Sequence, residues 1–137
     1  MPKRFVLVDS STWIHFLRAG DTHPSAGMLH DLLRQDVVAT NWIIRMELLG
    51  GVSTEEAYHT LDTDLVALRQ LPLTDAFFQA AGAWRWRLQR RGVAVPLADA
   101  LIAACALYYD CALLHDDRHF LLVARHAPLR LHPTHSR

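Results

Sequence analysis

The feature that most narrows the fold is a set of very short apolar runs set between segments of helical pattern. Arg4–Val8 (RFVLV), Val37–Ala39, Ala112–Leu114 and Leu129–Leu131 each read as a single short strand. Such runs need no polar alternation when both sheet faces are covered. Between them, Ser10 and Ser11 offer caps to a helix reaching about Arg18, with Trp13, Ile14 and Leu17 on one face. A helix over about Ser25–Arg34 follows, then Trp42–Leu49, capped by Thr40 and Asn41 and stopped by Gly50 and Gly51. One or two helices fit between Thr54 and Arg69, followed by a short apolar piece, Leu71–Leu73. Thr74 and Asp75 start a helix that runs to about Arg91 and closes at Gly92. Pro96 sits in the first turn of the next helix, and Asp117–Arg125 is the last. Strands alternating with helices predict an α/β fold, a three-layer α/β/α arrangement around a central, mostly parallel sheet.

At 137 residues the chain suits one domain, predicted over residues 1–131, with 132–137 (HPTHSR) as a loose tail. No linker, repeat or low-complexity segment interrupts it. Hydrophobic residues make up 51% and the formal net charge is zero, which excludes disorder and excludes nucleic-acid binding by bulk charge alone. Lys3 is the only lysine. Cys105 and Cys111 fall in apolar surroundings and read as reduced, buried thiols. No run approaches about 18 apolar residues and no secretory h-region is seen, so a cytoplasmic protein with no membrane partner is expected.

One residue stands out in VPLADALIAACALYY (95–109). Asp99 is the only charge in a helix that otherwise reads as core, and carboxylates are seldom buried without a partner. Its helical neighbours are Val95, Pro96, Ile102 and Ala103, none of them positive. Glu47 is in the same position among Ile43, Ile44, Gly50 and Gly51, and Asp117 faces Phe120 and Leu121. Asp31, with Arg34 three residues on, shows what an ordinary surface acid looks like. Asp9 follows the first strand directly, and Asp116 and Asp117 follow the strand at 112–114. Active sites of parallel sheets gather at these carboxyl ends.

Carboxylates converging there would repel one another and resist ionisation, a conflict that a hard divalent cation resolves. Such an ion polarises a phosphoryl group and lowers the pKa of water, which points to metal-assisted phosphodiester hydrolysis. Each acid also has an ordinary role open to it. Asp9 can cap the first helix, Asp99 can complement a helix dipole, and Glu47 can meet a distant arginine. Asp116 is assigned as the N-cap of the last helix.

The ordered pieces VDSSTWI (8–14), RMELLGG (45–51), LADALIAACA (97–106) and LLHDDRHF (113–120) resemble the PIN-domain ribonucleases, and among them the VapC toxins of bacterial toxin–antitoxin pairs. The resemblance spans nearly the whole chain. It implies an endoribonuclease whose catalytic acids are Asp9, Glu47, Asp99 and Asp117, with Ser11 the small polar residue after the first acid. It further implies Mg²⁺ or Mn²⁺, held directly by Asp9 and Asp99, with Glu47 and Asp117 orienting waters or holding a second ion. RNA is the implied substrate, a VapB-like antitoxin the implied inhibitor, and a homodimer the implied assembly. One position departs: His115 stands where the family often has Thr or Ser.

Other features fall outside that set. In WRWRLQRR (84–91), Trp84 joins Phe77, Ala81 and Leu88 on a core stripe, while Trp86 points about 200° away among Arg85, Arg87, Arg90 and Arg91. Trp86 there is either a stacking or anchoring residue or an aromatic half-buried under arginine stems. The nine histidines show no metal-binding spacing. His115 and His119 are near the expected site, within reach of a phosphate, and His119 is expected to pack at the core edge instead. A receiver-like domain is disfavoured by the lack of a late lysine, and a haloacid-dehalogenase-like phosphatase by Ser11 in place of its second acid. A catalytically silent PIN-like binding or regulatory module remains the alternative from another class.

Overall fold

The computed structural model describes residues 3–19 and 22–133. Four parallel strands form one sheet: β1 (Val6–Val8), β2 (Val38–Thr40), β3 (Arg69–Gln70) and β4 (Ala112–Leu114), in the order β3-β2-β1-β4. β1 is central, pairing Leu7 with Ala39 on one side and Leu113 on the other. Seven helices cover the sheet among the described residues: α1 (Ser10–Ala19), α2 (Pro24–Arg34), α3 (Trp42–Leu49), α4 (Glu55–Val66), α5 (Asp75–Arg90), α6 (Leu97–Tyr108) and α7 (Arg118–Ala124). This is the expected three-layer α/β/α architecture, with the sheet entirely parallel.

The inner strand β1 and its neighbour β4 are short and wholly apolar because both of their faces are covered. Leu7, Val8, Leu113 and Leu114 are fully buried, each contributing about 1.5–3 kcal/mol relative to exposure. The backbone leaving β1 and β4 therefore starts from a rigid platform, and Asp9 N–H donates to the Leu114 carbonyl (2.9 Å) across the two strand ends. Caps fix where the helices begin. Asn41 Oδ1 accepts the Ile44 N–H, Thr54 Oγ1 that of Ala57, and Thr74 Oγ1 that of Phe77. Gly92 takes φ +82°, the left-handed turn expected to close α5.

Several local expectations are corrected. Residues 54–69 hold one helix, and β3 lies at Arg69–Gln70, just before the apolar piece 71–73. Leu71 is buried there but only its N–H continues the pairing, to the Thr40 carbonyl. Pro96 precedes α6 as its N-cap, outside the helix. Gly50 ends α3 at an ordinary φ of −65°; what favours glycine is space, since a Cβ would lie 3.0 Å from the Met46 carbonyl oxygen. On α1, Trp13 is buried but Ile14 and Leu17 are exposed, because the helix turns its Ser10–Thr12–Trp13 side inward. Leu129–Leu131 makes only a single bridge, Leu131 to Leu113. Pro128 and Pro133, which lack N–H donors, flank it. Of the expected tail, His132 N–H is tied to the Leu113 carbonyl, and residues 134–137 lie outside the described residues. Both cysteines are free and buried.

Candidate functional site

The carboxyl ends of β1 and β4, together with α3 and the start of α6, bring the four expected acids into one neighbourhood. Asp9 directly follows β1 and is only 2% exposed. Its Oδ2 accepts the Ser11 N–H (3.0 Å) and a short hydrogen bond from Ser11 Oγ. Its Oδ1 is buried with no hydrogen-bond partner among the described residues. Burial pushes this carboxyl up to about 6, against the downward pull of the Ser11 bonds, and the charges of Glu47 and Asp99 add to the rise.

Glu47 is exposed along α3, yet its carboxylate end is desolvated enough to be raised above the usual range. Ser10 Oγ donates to its Oε1 (3.0 Å) and pulls the other way, while Asp99 and Asp117 raise it further. Asp99, in the first turn of α6, is raised mainly by burial and then by Asp117, with a hydrogen bond from His119 opposing. Asp99 and Glu47 thus find no cation on their own helices, as the sequence implied, and each feels the charge of other members of the set.

Two residues of the site were not anticipated in their actual roles. The ring of His119, expected to pack at the core edge, instead places Nδ1 2.7 Å from Asp99 Oδ2 and 3.1 Å from Asp117 Oδ1. It bridges two acids from different elements. Ser10, expected to cap α1, holds Glu47, while Ser11 Oγ donates to Asp9 and accepts the Asp116 N–H (2.9 Å). The signal was present in the doublet after Asp9, but only tertiary packing shows where each hydroxyl points.

The last helix is capped differently from the expectation. Asp117, not Asp116, is the N-cap of α7, its Oδ1 accepting the His119 N–H (2.9 Å). Asp116 is displaced because its N–H is held by Ser11, turning its side chain toward α1. His115 is buried, and burial lowers its pKa. Its ring Nδ1 accepts the Asp117 N–H (3.1 Å), so the histidine itself fixes the turn that carries Asp117. Arg45, next to Glu47 in sequence, faces elsewhere: it pairs with Asp62 (3.1 Å) and Gln70 (3.0 Å). Arg118 and His132 line an open cleft of about 380 Å³ beside Asp117. Trp84 packs partly buried on the core, whereas Trp86 is 60% exposed with the Arg90 guanidinium 5.6 Å from its ring.

The arrangement is chemically specific. A buried carboxylate with an unpartnered oxygen, facing two further acids, is unfavourable unless a cation or a proton joins it. All-oxygen donors of this kind suit a hard divalent ion. Among the described residues, no helix is long and apolar enough to cross a membrane.

Known proteins carry the same pattern. A model of the PIN domain matches residues 6–126. Ribonuclease VapC11 of Mycobacterium tuberculosis is 32% identical over 125 residues, covering 88% of this chain and 92% of the relative. Among solved structures, VapBC2 of Rickettsia felis bound to a promoter DNA fragment superposes with a TM-score of 0.74 at 19% identity, covering 93% of this chain and 97% of that one. DNA-bound VapBC of Salmonella typhimurium gives 0.75 at 18%, covering 96% and 99%. The chain belongs to the PIN-domain family, in the branch of the VapC ribonucleases.

Proposed function

We propose that this chain is the toxin of a toxin–antitoxin pair, an endoribonuclease that hydrolyses RNA phosphodiester bonds at the cluster of Asp9, Glu47, Asp99 and Asp117. Asp9 and Asp99 are the direct ligands of a divalent cation, Mg²⁺ or Mn²⁺. Asp9 Oδ1, buried and unpartnered beside Glu47 and Asp99, is the observation that carries the reading. Bound there, such an ion polarises a phosphoryl oxygen and makes water more acidic. A VapB-like antitoxin is the partner, a homodimer the assembly, the cytoplasm the location, and residues 1–131 the single domain.

The chain's own groups do the positioning. Ser11 fixes Asp9 Oδ2 and so aims Oδ1 into the cluster, while Ser10 holds Glu47 toward it. His119 hydrogen-bonds Asp99 Oδ2 through Nδ1 and Asp117 Oδ1 through its backbone N–H, leaving the other oxygen of each acid without a bond from His119. Arg118, exposed in the cleft beside Asp117, is placed to meet a substrate phosphate. The exposed Leu17 borders a groove with Val52 and Leu61, an apolar surface of the kind that a partner segment covers.

The test is thermal unfolding of the wild type and of Asp99→Asn across a Mn²⁺ and Mg²⁺ titration. At about 100 times its dissociation constant, the ion stabilises the wild type by about 2.7 kcal/mol, several degrees for a domain of this size. The variant stays flat. Equal responses in both proteins would remove Asp99 from the metal site.

A further inference from the structure

A second cluster lies on the other side of the residue pair Asp116–Asp117. His15 comes from α1, His23 from the cap of α2, and Asp116 from the turn between β4 and α7. Both imidazole Nε2 atoms approach the same carboxylate oxygen, Asp116 Oδ2, at 2.6 and 3.3 Å. The rings stack with centroids 3.9 Å apart and planes 2° from parallel. One donor atom from each residue lies within 4.8 Å of the others.

An ion pair alone leaves this arrangement half explained. Were both rings charged, the single carboxylate would neutralise one imidazolium and the stacked second would be repelled; with neutral rings donating N–H, the charge of Asp116 meets no cation in the trio. A divalent cation uses all three donors at once. We infer that His15, His23 and Asp116 form a binding site for a borderline divalent cation of the zinc type, separate from the acid cluster and joining α1, the start of α2 and the β4–α7 turn. Two imidazoles and one carboxylate suit zinc, whereas the acid cluster, dominated by carboxylate oxygens, suits a hard ion.

The geometry needs little change. Tetrahedral zinc with donors about 2.0–2.2 Å away holds neighbouring donors about 3.3 Å apart. His23 already meets that spacing to Asp116, and His15 must withdraw by less than an ångström and tilt off the stack. The side chains of His15 and His23 are 39% and 32% exposed, so both can turn. Surrounding bonds orient the ligands. Ser11 Oγ fixes the Asp116 backbone, and zinc on His23 Nε2 requires the Nδ1–H tautomer, which would donate to Ser25 Oγ at 3.0 Å in exchange for the Ser25 N–H that Nδ1 accepts in the metal-free cap.

The experiment titrates ZnCl₂ into the EDTA-treated full chain by calorimetry, with three variants alongside. Asp99→Asn/Asp117→Asn removes acids of the other cluster. His15→Gln/His23→Asn removes both imidazoles while Asn keeps a cap for the Ser25 N–H, and His15→Gln alone leaves α2 untouched. The wild type and the acid variant take up one saturable equivalent of zinc in the micromolar range or tighter. Both histidine variants bind it at least about tenfold more weakly, and their Mn²⁺-dependent thermal shift is retained. Histidine variants that bind zinc like the wild type would overturn the assignment. So would loss of zinc in the acid variant, which would place the ion at the acid cluster, or no saturable uptake by the wild type below about 100 µM.

Discussion

Asp9 and Arg45 are both charged, both buried, and both positioned at the carboxyl edge of neighbouring strands, β1 and β2. They are treated oppositely. Arg45, 5% exposed, has its guanidinium on the Trp42 ring (3.6 Å) and hydrogen bonds to Asp62 and Gln70. Only its Nε lacks an acceptor. It ties α3 to α4 and β3, and its charge is answered within the fold. Among the described residues, Asp9 receives two hydrogen bonds on one oxygen and none on the other, with further acids nearby. A buried charge that the fold satisfies is architecture. One that the fold leaves unsatisfied marks where something else must bind.

The contrast is broken most directly by neutralising each charge in turn. Asp9→Asn or Asp99→Asn lowers RNA cleavage by at least about 100-fold, several kcal/mol of transition-state stabilisation, while the EDTA-treated protein melts no lower than wild type. Single-turnover cleavage and melting curves check both halves. Arg45→Met does the reverse, lowering stability by about 2–4 kcal/mol because Asp62 and Gln70 lose their partner. Denaturant titration reads that loss, and a variant as stable as wild type would show that Arg45 is not structural.

How much of this was legible in the sequence depends on whether the signal was local. The strands at β1, β2 and β4 and the caps Asn41 and Thr74 show because apolar runs and cap residues act over a few positions. Glu47, Asp99 and Asp117 show because each lacks a positive neighbour at helical spacing, and Asp9 because it follows the first strand directly. His119 did not show, since its bond to Asp99 joins α7 to α6 across twenty residues. Nor did the trio His15, His23 and Asp116, whose members come from three separate elements. The choice between Asp116 and Asp117 as cap was decided by Ser11, 105 residues away from Asp116, and no local rule could have made it.

The same comparison can be sharpened with pH. Asp9 holds its proton more tightly in the folded chain, at about 6 against 3.8 for the ordinary group. Protonated Asp9 therefore favours folding at low pH, and that contribution is lost as pH rises through about 4 to 6. Other groups titrate in the same range, so the useful quantity is the difference between Asp9→Asn and wild type, measured in EDTA. The stability advantage of the Asn variant grows by about 2 kcal/mol between pH 4 and pH 7. A difference that stays constant would mean that Asp9 is answered within the fold after all, as Arg45 is.

The smallest expected effect comes from the rim of the site. Arg118 starts α7, directly after the acid that caps it, and its exposed side chain lines the cleft with His132. Its side chain is exposed in the free protein, so Arg118→Ala leaves stability within about 0.5 kcal/mol of wild type. If it meets a phosphate of the bound RNA, its loss removes one charge-assisted hydrogen bond and lowers kcat/KM by about tenfold. The effect should fall mainly on KM and shrink as salt rises, because a contact at an exposed rim is screened and one in the buried acid cluster is not. A loss in kcat alone, insensitive to salt, would instead place Arg118 with the acids, among the groups that act in the transition state.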